Sequence, residues 1–122
     1  MSKKNKMILL VDDDIFLRNF MVGMLDQFGY TAITAKDGAE GLIIAEENQF
    51  DLVITDHDMP VMKGAEMVAK LRDKGVQTPI IMVSSTPGSE DTPGISGFLS
   101  KPFLSKELVD MIERLTVSAV AA

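Results

Sequence analysis

Charged and hydroxyl side chains stand at the ends of apolar runs along this 122-residue chain. Asp12, Asp13 and Asp14 follow KMILLV (Lys6–Val11), and Asp56 closes DLVITD, with His57 and Asp58 just beyond it. Ser84 closes PIIMVS, and Lys101-Pro102 follows GFLS. Carboxylates brought together from such places repel: at an effective dielectric of about 20 and roughly 5 Å, each pair costs roughly 3 kcal/mol. Protonation relieves such a cluster, and so does a hard cation that takes oxygen ligands. Mg²⁺ fits well, because it accepts one or two carboxylates together with water and phosphate oxygens. A lysine and a hydroxyl beside it suit a bound phosphoryl group.

Each of these residues also has a plainer role. Asp12–Asp14 reads equally as a solvated acidic turn, with Asp14 the N-cap of the next helix. Ser84 alone is a common strand-end serine, and Lys101 alone is a surface lysine. His57 is the only histidine and there are no cysteines, so no second imidazole or thiolate can complete a metal site with it. It reads as a loop residue at the mouth of the cluster.

The elements that must position these residues alternate. Lys6–Val11 is a continuous apolar run, as expected of a strand covered on both faces. Ile15 to Phe28 carries Phe16, Phe20, Leu25 and Phe28 at helical spacings, and Gly29 stops that helix. Thr31–Ala35 is a short strand. Asp37-Gly38-Ala39-Glu40 has the form of a capping box, opening a helix to about Asn48. Asp51–Asp56 is a strand, Gly64 to Lys74 an amphipathic helix, Pro79–Ser84 a strand and Gly97–Ser100 a short one. Leu104, Leu108, Met111, Ile112 and Leu115 mark a closing helix. Strand and helix in repeated alternation predict an α/β domain: a doubly wound, five-stranded parallel sheet with helices on both faces. Sites on such sheets lie outside the carboxyl ends of the strands, where the chemistry-bearing residues fall.

Composition narrows the function. A net charge of -6 and a pI near 4.6 argue against direct binding of nucleic acid or an anionic membrane. The absence of cysteine excludes disulfides and thiol catalysis and suits a reducing, cytoplasmic setting. The basic start, Ser2-Lys3-Lys4-Asn5-Lys6, precedes an apolar run too short for a signal peptide and reads as a solvated tail. No stretch is long enough to span a bilayer. One domain over 1–122 is expected, with tails at 1–5 and 116–122.

With those residues in view, the chain resembles the receiver domains of two-component response regulators, the CheY-like family. VDDD at 11–14, DLVITDHDMPVMKG at 51–64, IIMVSS at 80–85 and GFLSKPF at 97–103 carry the resemblance, in that order. The resemblance implies the flavodoxin-like strand order 2-1-3-4-5. It implies that Asp56 is the phosphoacceptor, with Lys101 and Ser84 contacting the phosphoryl group. Asp12, Asp13, Asp56 and the backbone carbonyl of Asp58 would hold Mg²⁺. Ser84 and Phe98 would be the switch pair, and Lys101-Pro102 a cis peptide. The implied partner is a sensor histidine kinase or a phosphotransfer protein. The chain would then be no enzyme in the usual sense, but a phosphoacceptor that takes part in its own phosphorylation and dephosphorylation.

One segment departs from that family. Residues 86–96 hold Pro87, Gly88, Pro93 and Gly94, too few positions and too many breakers for a crossover helix. The fourth helix is therefore expected to be absent or reduced to about a turn. The main rival function is a haloacid-dehalogenase-like phosphatase using Asp56 as nucleophile and Asp58 as general acid. It leaves Asp12 and Asp13 unexplained. A flavodoxin-like electron carrier would need glycines and hydroxyls where this chain has aspartates. A receiver-shaped interaction module without phosphorylation is the third reading, and it leaves the full acid–lysine set without a task.

Overall fold

A computed structural model describes residues 6–121, with side chains described as far as residue 116. The expected N-terminal tail, 1–5, lies outside the described residues. Five parallel strands are crossed by four helices: β1 (Met7–Val11), α1 (Ile15–Gln27), β2 (Thr31–Ala35), α2 (Gly38–Glu47), β3 (Leu52–Asp56), α3 (Gly64–Asp73), β4 (Ile80–Ser84), β5 (Gly97–Ser100) and α4 (Ser105–Ala121). The strand order is β2-β1-β3-β4-β5, as the resemblance implied.

Alternation along the buried strands divides the core in two. Ile8 and Leu10 of β1, with Leu52, Ile54, Ile81 and Val83, meet Met21, Met24 and Leu25 of α1 and Leu108, Val109 and Ile112 of α4. Leu9 and Val11 point the other way, with Val53, Ile80 and Met82, against Met67, Val68 and Leu71 of α3. At about 25 cal/mol per Å², each of these fully covered side chains contributes roughly 1.5–3 kcal/mol. Such burial holds the strand ends in register.

Several elements differ from their expected form. Phe16 and Phe20 are 83% and 61% exposed, and the buried line on α1 runs through Met21, Met24 and Leu25 instead. At about 100° per residue, Phe16 falls well off that line. Leu104 is 69% exposed because it precedes the first turn of α4, where its N–H donates to Glu107 Oε1 at 2.8 Å. α4 continues past Leu115 to Ala121. Its last residues are alanine-rich and contain neither glycine nor proline, so nothing stops the helix earlier. At α2, Asp37 accepts from Glu40 N–H as expected, but Glu40 reaches back to Lys36 N–H at 2.8 Å rather than to the cap residue itself.

Between β4 and β5 there is no α-helix, only a single turn of 3-10 helix at Ser89–Asp91. The side chain of Arg72, at the end of α3, fastens the far end of this segment. Its guanidinium donates to the carbonyls of Gly94 at 3.0 Å, Val76 at 2.7 Å and Thr78 at 2.9 Å. Gly94 has φ +92°, and a Cβ there would stand 2.9 Å from Val68 Cγ1, so the backbone lies flush on α3. One guanidinium and one glycine do the covering that a helix would otherwise do. Replacing Arg72 with Met removes three charge-assisted bonds and should lower unfolding free energy by about 1–3 kcal/mol in urea titration. Amide exchange should rise at 92–96 while the sheet stays protected. An unchanged exchange profile would show that other contacts hold the segment.

Candidate functional site

The parallel ladder carries the acidic residues to one edge. Val11 pairs with Thr55 across β1 and β3, and Asp56 pairs with Val83 across β3 and β4. Continuing each strand by one residue brings Asp12 beside Asp56. The ladders extend past the formal strand ends, because Asp12 N–H donates to Ala35 O at 3.1 Å and Lys101 N–H to Ser84 O at 3.0 Å. Asp12, Asp13 and Asp56 each offer a carboxylate oxygen, and these oxygens lie within 4.8 Å of one another. Asp12 and Asp56 are buried, whereas Asp13 is exposed.

Lys101 enters from the end of β5. Its Nζ stands 3.3 Å from Asp56 Oδ1 and 4.0 Å from Asp12 Oδ2. The Lys101-Pro102 peptide that follows β5 is cis. Backbone donors contribute as well. His57 N–H donates to Asp56 Oδ1 and Asp14 N–H to Asp12 Oδ1, both at 2.8 Å. Arg18 ties down the carbonyl of Asp12 at 2.7 Å. Asp14 caps α1, accepting from Phe16 and Leu17 N–H. It plays the structural part weighed for it and stands outside the acidic trio.

Electrostatics follow from this packing. Burial raises the Asp12 carboxyl above the ordinary aspartate value, and the charges of Asp56 and Asp13 push the same way. The Asp14 amide and the Lys101 ammonium oppose them without prevailing. Asp58 behaves differently. It is exposed, and the hydroxyl of Thr86 foremost holds its carboxyl below the usual range, helped by His57 and Lys63.

The remaining residues fall around this cluster. Ser84 is buried, and its Oγ accepts from Thr86 N–H at 2.9 Å. Phe98 is half-buried against the side of the core formed by α3. The His57 ring does not join the trio; its Nδ1 is buried without a hydrogen-bond partner. Two contributors were not legible beforehand. Gly64 allows α3 to begin against the end of β3, since a Cβ there would lie 2.2 Å from the Asp56 carbonyl oxygen. Its place inside the motif at 51–64 was the available signal. Thr86 gave no signal, because its partner Asp58 lies 28 residues away.

The profile of the response regulator receiver domain matches residues 8–113. The chain belongs to that family. It is 34% identical over 113 residues to the transcriptional regulatory protein CiaR of Streptococcus pneumoniae, covering 88% of this chain and 50% of CiaR. The chain thus spans half the length of that relative. It superposes on the chemotaxis response regulator CheY4 of Vibrio cholerae with a TM-score of 0.82 at 35% identity, covering 91% of this chain and 98% of CheY4. On the receiver domain of sensor histidine kinase PA1611 from Pseudomonas aeruginosa the TM-score is 0.86 at 27% identity, with 92% and 98% covered. That structure has a magnesium ion coordinated in its active-site cleft.

As a receiver, the chain is a signal-receiving module of a two-component phosphorelay, and a phosphoacceptor domain rather than a conventional enzyme. The phosphatase alternative finds no support. Its general acid would be Asp58, whose carboxyl is held below the ordinary aspartate range, foremost by the Thr86 hydroxyl. Among the described residues no helix is long and apolar enough to cross a membrane.

Burial of Asp12, with repulsion from Asp56 and Asp13, makes a stability prediction. In EDTA, the Asp12 carboxyl takes up its proton in the folded chain at higher pH than in the unfolded chain. Stability should therefore increase as pH falls from neutral through that titration toward 3.8, the unperturbed value. Asp13→Asn should raise metal-free stability at neutral pH by about 0.5–1.5 kcal/mol in urea titration. A destabilised Asp13→Asn protein would show that repulsion is not what this edge carries.

Proposed function

We propose that Asp56 accepts the phosphoryl group, and that Asp12, Asp13, Asp56 and the backbone carbonyl of Asp58 hold a Mg²⁺ ion beside it. One observation carries the proposal: the Asp56 carboxylate belongs to an acidic trio and lies 3.3 Å from the ammonium of Lys101. The donor set fits the ion, being all oxygen and rich in carboxylate, with three carboxylate oxygens within 4.8 Å of one another. When bound, the ion supplies charge neutralisation at the phosphoryl oxygens.

The chain's own residues do the rest. An Asp56 carboxylate oxygen attacks phosphorus, the P–N bond of a donor phosphohistidine breaks, and the imidazole departs with the bonding pair. The product is an acyl phosphate on Asp56. The Lys101 ammonium, already paired with Asp56, pairs with a phosphoryl oxygen, and the Ser84 hydroxyl donates to another. Phe98, on the neighbouring strand, shifts its packing as Ser84 is drawn in, so the signal is a change in population at this pair. Hydrolysis of the acyl phosphate at the same site resets the domain.

The donor is a sensor histidine kinase or a phosphotransfer protein. A small acyl phosphate or phosphoramidate substitutes for it in solution. Residues 1–122 act as one receiver unit in the cytoplasm, with neither nucleic acid nor membrane as a direct partner. A net charge of -6 supports that last point.

Incubation with Mg²⁺ and radiolabelled acetyl phosphate should yield one phosphoryl group per chain, labile to base and hydroxylamine. Asp56→Asn should abolish it, and Lys101→Ala should slow or uncouple it while the fold persists. Label retained on the Asp56→Asn protein would overturn the assignment.

A further inference from the structure

Thr86 is held at three of its atoms. Its hydroxyl donates to the Asp58 carboxylate across the mouth of the site. Its carbonyl accepts from the hydroxyl of the buried Ser89 at 2.6 Å and from the Ser89 N–H at 3.2 Å. Its own N–H donates to Ser84 Oγ at 2.9 Å. At the far end of the 86–96 segment Arg72 holds Gly94 and Ser96 pairs with Ile80; in the middle Thr92 reaches Met82; Thr86 holds the near end. With only a single 3-10 turn here in place of an α-helix, these bonds of Thr86, one of them a backbone bond from Ser89, place the near end.

The consequence falls on Ser84. Its oxygen accepts one bond, from Thr86, and among the described residues its hydroxyl donates to none. A hydroxyl whose lone pair is engaged from one side has its hydrogen turned to the other. Ser84 is the residue after Val83, which pairs with Asp56, so its hydroxyl stands at the strand end next to the one that carries Asp56.

We propose that Thr86 is a positioning residue: the relay Asp58 carboxylate, Thr86 hydroxyl, Thr86 N–H, Ser84 Oγ orients the Ser84 hydroxyl for a phosphoryl oxygen. The inference rests on the reading of Asp56 as phosphoacceptor. It gives Asp58 a second task, through its side chain, besides the one assigned to its backbone. It also gives the shortened segment a definite function, since Thr86 is placed by the site itself and not by a helix behind it.

A double-mutant cycle on beryllofluoride binding tests the relay, with Mg²⁺ present and bound fraction read by fluorine NMR. Thr86→Val keeps the branched shape and the backbone N–H but removes the hydroxyl. It should weaken beryllofluoride binding about three- to tenfold, the range expected for one lost hydrogen bond. Thr86→Ser should restore binding to within about twofold, because the hydroxyl alone is needed. In a Ser84→Ala background, Thr86→Val should change binding by less than about twofold, since the two residues then act as one unit. An equal loss in both backgrounds, or no loss in either, overturns the relay while leaving Asp56 as acceptor. Wild-type chain that binds no beryllofluoride, or Asp56→Asn that binds it equally well, overturns both proposals.

Discussion

Carboxylates at the ends of two adjacent strands, faced by one ammonium from a third, impose the constraint around which this domain is arranged. Asp12 and Asp56 are buried, and Lys101 reaches both, but one positive charge cannot balance three negative ones. Burial first, and then the charges of Asp56 and Asp13, raise the Asp12 carboxyl above the ordinary aspartate value. Hydrophobic burial on both faces of the sheet holds the strand ends together against that repulsion. A cation taking oxygen ligands relieves negative charge gathered in this way. The three elements needed, β1, β3 and β5, are far apart in the chain, and only the parallel order places their carboxyl ends on one edge.

Much of this was legible in the residues. Apolar bursts at β1, β3 and β4, with helical segments between the strands up to β4, point to a parallel sheet, and the ends of β1, β3, β4 and β5 carry the residues proposed for the site. The segment 86–96 was legible through its prolines and glycines, which deny it a helix whatever packs against it. Helix faces were less legible. Phe16, Phe20 and Leu104 have the size and spacing of core residues, yet they remain outside. Periodicity fixes the angle between side chains but not which side of the helix meets the sheet. The end of α4 was missed because low polarity and terminal position resemble a tail, whereas alanine favours helix. Thr86 and Arg72 were illegible for another reason. Each acts on backbone or carboxylate groups brought near by the fold, and neither sits in a pattern of its own.

The shortened crossover gives the domain its individuality. Phosphoryl chemistry depends on strand ends, which are fixed by the sheet and so tolerate the loss of a helix on one flank. What is lost is a rigid element beside β5. Arg72 and Gly94 fasten the remaining segment onto α3. The flank is held by these side-chain bonds together with the backbone bond from Ser96 to Ile80 and the packing of Ile95.

The central claim is that Asp12, Asp13 and Asp56 share one divalent ion opposite Lys101. Crystals of the chain grown with Mn²⁺, measured at the manganese edge, test it directly. The account predicts a single strong anomalous peak at coordination distance from the carboxylates of Asp13 and Asp56, with the Lys101 ammonium facing the same pocket. A peak elsewhere, or no peak with Lys101 turned to solvent, would contradict it.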